Sequence, residues 1–510
     1  MTLLLEEIPV KVRPAVEELL DKNQRLEMEN RLIRERIRLI LLLKYGRKNE
    51  SLSDGQLELL EVEPGVSEPE VEKEASLPTA EKQVPSKKRA SNHPGREKLP
   101  EHLERREEIV AVEASQRLCP CCGKERCVIG HEEKEVLDLE PLKYFVRVIK
   151  REKLACKSCE EGGVVTASVV GPRIVEKGKL SDAVVVDVIL KKYGDHLPLY
   201  RQEAILERDY GLEISRNTLC DAVMRAGDFL RPVREAMKGE LLAGGYIQAD
   251  ETPIGVQVPT HSGRNHQAYV FEYSCPGGNV VFDFRMSRAR EGPRDFLGDF
   301  RGALQYDGYA GYEKCGGKAL VRAGCWAHGR RKFYDAHRLD LRDADALRML
   351  DLIGELYAVE KTAREAGMNA EARLDLRREK SLPLLESIRS CVLEIRGRAL
   401  PAGALGKACE YLLNQWSKLV VFCEDGRIEI DNNWCENAIR PVVLGRKNWL
   451  HIGSEKAGPR VAAIMSVLET CKRLGIHPRD YLLDVLPGLP DWPIKKVAQL
   501  TPAAWKASHP

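Results

Sequence analysis

YIQADETPIGV, residues 246–256, decides the fold class. Upstream, apolar residues recur at the three-and-four spacing of helices; here the pattern changes to the period of two that suits a strand. Four more short β-rich runs follow, broken by Gly, Pro and Ser: QAYVFEYS (267–274), NVVFDFRM (279–286), ALQYDG (303–308) and ALVRAGC (319–325). A helix is expected between them at 290–299. Strands bracketed by helical segments predict an α/β domain. Asp250 and Asp307 lie in the first and fourth of these runs, on or near strand ends.

Toward the C-terminus, residues 327–423 read as helical and charged, and further helices are expected at 432–443, 457–474 and 478–486. Glu436 lies in Asp431-Asn432-Asn433-Trp434-Cys435-Glu436-Asn437, a polar helix start. Arg440 follows four residues later on the same helix face. Gly445-Arg446-Lys447-Asn448-Trp449 adds cations and an aromatic suited to phosphate and base contacts. A single Asp near a strand end is usually unremarkable. Three carboxylates drawn from two strands and a helix make an all-oxygen site for two divalent ions of the Mg²⁺ type. Asp431 is the substitute ligand if the helix register differs.

Toward the N-terminus, three helices are expected in 180–230, in LSDAVVVDVILKKYG, LYRQEAILERDYG and ISRNTLCDAVMRAGDFL. Gly211 stops one helix and Ser215 can cap the next. This is the pattern of a helix-turn-helix, with Arg216, Asn217 and Thr218 opening the recognition helix. Ordinary helical packing is the competing reading.

Residues 106–165 carry two C-x-x-C pairs, Cys119/Cys122 and Cys156/Cys159, separated by a β-rich segment that a hairpin can fold back. Four thiolates so placed predict a closed structural Zn²⁺ site. Cys121 could replace a neighbour only by distorting its knuckle. Residues 47–105 turn from acidic (58–74) to basic (87–98) and hold almost no aromatics, which predicts a flexible linker. Residues 14–44 place Val16, Leu19, Asn23, Leu26, Asn30, Ile33, Ile37 and Ile40 in heptad rhythm. Two Asn at a-type positions favour a parallel coiled-coil dimer.

The chain's 510 residues exceed one compact core, so three or more domains are expected. A net charge of +2 neither supports nor excludes DNA binding, because basic patches coexist with acidic sites. Fifteen Cys with no secretory signal argue against a disulfide scaffold, and no apolar run is long enough for a bilayer. A cytoplasmic, nucleoid-associated protein is expected, with no membrane partner.

Several stretches now align with a known family: KYGDHLPLYRQE (192–203), QADETPI (248–254), LQYDGYAGY (304–312), CWAHGRRKF (325–333), GRIEIDNNWCENAIRPVVLGRKNWL (426–450) and GSEKAG (453–458). The chain resembles the insertion-sequence-66 family of transposases from bacterial mobile elements along nearly its whole length. The resemblance implies DDE-class chemistry on an RNase H-like fold, interrupted by a helical insertion before the Glu. Matched residue by residue, the catalytic and Mg²⁺-binding triad is Asp250, Asp307 and Glu436, with Mn²⁺ an alternative to Mg²⁺. His328, Arg330 and Arg331 then stand near the scissile phosphate or flanking DNA, and Arg440, Arg446 and Lys447 are backbone-phosphate contacts. Trp434, Cys435 and His451 stand where the family more often has Arg, Ala and Phe.

The expected architecture is multidomain α/β. It comprises a coiled-coil dimerisation helix (1–46), a linker (47–105), a zinc-ribbon-like module (106–165) and a helix-turn-helix-like DNA-binding region (166–235). The catalytic domain follows in two parts (240–335 and 425–475) around a helical insertion (336–424), and a helical tail ends the chain (476–510). The expected function is cleavage and strand transfer at the ends of an insertion sequence. Its partners would be element-end and target DNA, a second copy of the chain, and small accessory proteins of the same element. The alternatives are a catalytically silent DNA-binding regulator and a metal-dependent nuclease that does not join strands.

Overall fold

The computed structural model describes residues 180–258 and 265–509 continuously, with 144–146, 173–175, two short strands at Lys153–Ala155 and Val164–Thr166, and isolated positions between 16 and 38. The chain divides into two compact units, one spanning Pro78–Ser168 and the other the remainder.

In the smaller unit, strands β1 (Lys153–Ala155) and β2 (Val164–Thr166) pair antiparallel, with Leu154 opposite Val165. Cys156 follows β1 directly in sequence. Cys119, Cys122, Cys156 and Cys159 lie outside the described residues, as does the expected linker. In the N-terminal segment the described positions between 16 and 38 are helical, and Leu26, Ile33 and Ile37 are exposed.

The larger unit opens with helices α1 (Asp182–Ile189), α2 (Leu199–Tyr210) and α3 (Arg216–Ala243). Gly211 ends α2 at φ +64, a left-handed conformation that glycine adopts without a Cβ penalty, and its N–H bonds back to Glu207 O at 3.0 Å. The Ser215 hydroxyl caps α3 by accepting from Thr218 N at 3.3 Å. Helix α3 runs for 28 residues, longer than a recognition helix needs. Its Val223, Leu230, Val233 and Met237 are fully buried, on a helix that packs against α11 (Gly458–Arg473). In its first turn Arg216, Asn217 and Thr218 are exposed.

The sheet that follows has one long central strand, β3 (Tyr246–Val256). On one side β4 (His266–Ser274) and β5 (Val280–Arg285) continue as an antiparallel meander. Helix α4 (Glu291–Leu297) then crosses to β6 (Ala303–Gln305), which runs parallel to β3, and β7 (Val321–Ala323) runs parallel to β6. The strand order is β5-β4-β3-β6-β7, and β8 (His451–Ile452) pairs parallel with the far end of β3. Both faces of the meander are covered, since Phe271, Tyr273, Val281 and Phe282 are all fully buried.

Helices α5 (Trp326–Leu339), α6 (Ala344–Glu365), α7 (Ala370–Leu376), α8 (Leu382–Arg398) and α9 (Ala404–Leu419) form an insertion between β7 and α10 (Asn433–Trp449). Trp326, Phe333, Met349, Ile353, Ile388, Val392 and Leu412 make its core. That core is continuous with Tyr246, Ala303 and Ala323 at the end of the sheet, which anchors the insertion to the strands bearing the two Asp. Helices α12 (Pro478–Gly488) and α13 (Pro502–Ser508) close the chain. No helix among the described residues is long and apolar enough to cross a membrane. The nine described cysteines are free thiols.

Candidate metal centre

Two adjacent parallel strands set the site. Gln248 on β3 is the register partner of Gln305 on β6. Asp250, still on β3, and Asp307, just past the end of β6, each stand two residues beyond that pair. Asp250 Oδ1 accepts from the N–H of Glu251 at 2.8 Å, and Asp307 Oδ1 accepts from Tyr309 N at 2.9 Å. The turn after Asp307 passes through Gly308 at φ +99, a backbone conformation closed to most side chains.

The third carboxylate arrives from far along the chain. Helix α10 packs on β3 and β4, and Glu436 sits in its first turn, its N–H bonded to Asn432 O at 3.1 Å. Buried amides hold this helix start in place. Gln248 Nε2 donates to Gln305 Oε1, Tyr246 Oη and Asp431 O, each at 2.9 Å, and Gln248 Oε1 accepts from Cys435 N at 3.1 Å. Gln305 Nε2 donates to Glu429 O at 2.8 Å and Gly324 O at 2.9 Å. Glu429 N in turn donates to the Tyr246 hydroxyl at 3.0 Å. Gln248 and Gln305 are fully buried, so each of these bonds is made where water cannot substitute.

Electrostatics reports the crowding. Burial, then the charges of Glu436 and Glu251, push the Asp250 carboxyl well above its ordinary range, and Asp307 adds to the effect. Glu436 is pushed up to about 7, first by burial and then by Asp431. Arg331 and Arg440 offset the crowding at Glu436 only in part, and a bound cation would relieve the rest. An all-oxygen set fits Mg²⁺. Asp431 is a structural anchor, with Oδ2 accepting from Tyr357 Oη at 2.9 Å and Oδ1 from Asn433 N at 3.1 Å. Burial raises its carboxyl to about 6.

Helix α5 brings His328 to the same place, with Nδ1 3.6 Å from Glu436 Oε1. Burial lowers the His328 pKa, so the ring is neutral near pH 7. Arg331, one turn along, is exposed, whereas Arg330 is only 9 % exposed. Arg440 is half-buried on α10 and Lys447 is exposed. Arg446 turns back onto β3, where Nη1 donates to Thr252 Oγ1 at 2.7 Å and also contacts Pro253 O. It therefore staples α10 to the sheet.

Gln248, Gln305 and Tyr246 escape a reading that looks only for charge. Their signal is nonetheless present: Gln248-Ala249-Asp250 and Gln305-Tyr306-Asp307 repeat the same Gln-x-Asp spacing. Glu272, opposite Asp250 on β4, is another missed residue. It is fully buried against Cys435 Sγ, and burial pushes its carboxyl well above the ordinary range.

The fold is that of a mixed α/β protein whose candidate site gathers acidic groups from the sheet and a helix. Residues 177–460 match the family model described as Transposase IS66 family, and residues 466–503 match the IS66 C-terminal element. Residues 116–160 match the zinc-finger binding domain of transposase IS66, and residues 32–107 match a model described as Transposase C of IS166 homeodomain. The chain belongs to the IS66 transposase family. It is similar to the uncharacterized protein y4qI of Sinorhizobium fredii (strain NBRC 101917 / NGR234), at 32% identity over 92% of this chain and 88% of that protein. It is also similar to y4jD of the same organism, at 30% identity over 81% of this chain and 82% of the relative.

Proposed function

We propose that this protein is a DDE-class transposase that cleaves DNA at the ends of an insertion sequence and joins the freed end to a target. One observation carries the reading: Asp250 on β3 and Asp307 just past β6 each stand two residues beyond the paired Gln248 and Gln305, with Glu436 delivered beside them by a helix that Gln248 holds through Cys435 N and Asp431 O. The strand order, an antiparallel meander continued by two parallel strands, supports an RNase H-like domain.

Asp250, Asp307 and Glu436 would hold two Mg²⁺ ions, or Mn²⁺ in their place. When bound, such ions supply Lewis acidity to the attacking and leaving oxygens of an in-line displacement at phosphorus. Hydrolysis forms a bond from the water oxygen to phosphorus and breaks the P–O3′ bond, leaving a 3′-OH. In the joining step that 3′ oxygen attacks a target phosphorus, and a target 3′ oxygen leaves. Asp250 would hold the ions together with Asp307 and Glu436, and His328 stands beside them, 3.6 Å from Glu436. Arg331, Arg440 and Lys447 supply cations toward the phosphates, and Arg216, Asn217 and Thr218 offer the exposed tip of α3 to DNA. Cys119, Cys122, Cys156 and Cys159 would hold a structural Zn²⁺ in the smaller unit. The exposed heptad positions Leu26, Ile33 and Ile37 support dimerisation through the N-terminal helix.

The test is incubation of the full chain with Mg²⁺ and labelled oligonucleotides bearing the element's own ends. Cleavage and joining should vanish in Asp250→Ala, Asp307→Ala and Glu436→Ala while DNA binding persists. Binding without chemistry in the wild type, with the element's other proteins present, would favour the silent regulator. Cleavage without joining would favour the nuclease.

A further inference from the structure

We infer that Cys325, His328 and Glu436 form a second metal site, of the zinc class, that shares Glu436 with the carboxylate centre. The inference rests on the proposed role of Glu436 only for its effect on activity; the binding of the ion stands on geometry alone.

Among the described residues, one group of three potential ligand atoms lies within 4.8 Å of one another, and it is the thiol of Cys325, the imidazole of His328 and the carboxylate of Glu436. Cys325 is the N-cap residue of α5 and His328 the third residue of that helix. The Cys-x-x-His spacing therefore sets both on one side of a single turn. Glu436 faces them from the first turn of α10. Two of the donors are unsatisfied: His328 Nδ1 and Glu436 Oε1 are both buried without a hydrogen-bond partner, although they stand only 3.6 Å apart. The two atoms face each other with no hydrogen bond between them, and buried polar atoms left without a partner are unfavourable. An ion accepting lone pairs from both removes the defect.

The donor set selects the ion. Mg²⁺ takes hard oxygen ligands and has no use for a thiol. Sulfur, nitrogen and oxygen together suit Zn²⁺, or Co²⁺ as its spectroscopic substitute, with a fourth position left for solvent. Occupation draws Glu436 toward α5 and away from Asp250 and Asp307. Zinc-class ions are then inhibitors that compete with Mg²⁺ through one shared ligand, so this chain would respond to zinc at two places: the cysteine module and the mouth of the carboxylate centre.

The experiment is a Co²⁺ titration of the full-length protein with its cysteine-module zinc already loaded. The wild type should take up one further equivalent and develop a single-thiolate charge-transfer absorption. Cys325→Ser should abolish that band, and His328→Gln should weaken Co²⁺ binding by about tenfold or more. Circular dichroism checks that each variant is folded. His328 is only partly buried, so its variant keeps the test decisive if the Cys325 change unfolds the chain. In the cleavage assay, stoichiometric Zn²⁺ should suppress Mg²⁺-dependent cutting by the wild type and leave Cys325→Ala cutting. No additional cobalt band in the wild type, or a band unchanged in both variants, overturns the inference. Absence of Mg²⁺-dependent cutting altogether would count against the transposase reading and leave the cobalt result standing.

Discussion

The side-chain oxygen of Gln248 accepts from the backbone N–H of Cys435 at 3.1 Å, joining the start of β3 to the first turn of α10 across 187 residues of chain. The same amide donates to Asp431 O at 2.9 Å, so both of its ends grip the segment that delivers Glu436. Gln248→Leu keeps the size and removes the grip. A buried N–H and carbonyl lose their partner, at a cost of about 1–3 kcal/mol each. Urea denaturation should show that loss, and DNA cleavage should fall more than the loss of folded protein explains. Cleavage equal to wild type in the folded fraction would mean that α10 is positioned by its apolar packing alone.

His328 and Glu436 predict a different signature. The imidazole stands 3.6 Å from the carboxylate, beyond hydrogen-bond reach, so it can limit the position of Glu436 by contact alone. His328→Ala should lower the cleavage rate by about 10–100-fold, the range seen when groups supporting metal ligands are removed. Affinity for element-end DNA, measured by gel shift in Ca²⁺, should stay close to wild type. A fall in affinity that matches the fall in rate would make His328 a DNA contact.

How far the sequence carried the reading differs from element to element. The strands around Asp250 and Asp307 were legible because the alternation of apolar residues is local and each run is bounded by breakers. The N-cap at Ser215 and the left-handed stop at Gly211 were legible for the same reason. The extent of α3 was not: whether a helix ends after a recognition-length turn or runs for 28 residues depends on what it packs against, and that partner, α11, lies more than two hundred residues on. Arg446 shows the limit for charge. A Gly-Arg-Lys run looks like a phosphate contact, yet only Lys447 points outward, because helical phase turns Arg446 onto Thr252 and Pro253.

The crowded carboxylates predict a metal-dependent gain in stability. Burial and like charge raise Asp250 and Glu436, so the metal-free site works against folding at neutral pH. Mg²⁺ that binds only the folded state adds RT ln(1 + [L]/Kd), about 2.7 kcal/mol at a hundredfold excess over Kd. Thermal melts should rise in temperature with Mg²⁺. Asp250→Asn should melt higher than wild type without Mg²⁺ and gain little when Mg²⁺ is added. An Mg²⁺-induced rise of equal size in Asp250→Asn would place the binding elsewhere.

The insertion carries its own pH-sensitive clamp. Arg377, fully buried, donates through Nε and Nη2 to the two oxygens of Glu360 at 2.7 and 2.8 Å, and through Nη1 to Phe422 O at 2.6 Å. Arg373 bridges the same Glu360 to Glu429. Burial by itself would raise the Glu360 carboxyl, but the hydrogen bonds and charge of Arg377, with the charge of Arg373, outweigh it and hold the group below its ordinary value of 4.5. Glu429 is depressed in the same way, by Arg373 against burial. A carboxyl with a lower pKa folded than unfolded contributes stability that is fully present above the unfolded value and is lost as pH falls through the folded one. Stability measured by urea titration should therefore decline as pH drops below about 4.5. Glu360→Gln removes the carboxylate that pairs directly with the buried Arg377 and should cost about 3–5 kcal/mol at pH 7. Its stability should then fall less steeply in acid, since one of the two depressed carboxyls is gone. Arg378→Ala, which removes an exposed pair with Asp375, should change stability by less than about 0.5 kcal/mol and leave the acid slope intact. An acid slope unchanged in Glu360→Gln would mean that the proton-linked loss arises from carboxyls other than Glu360.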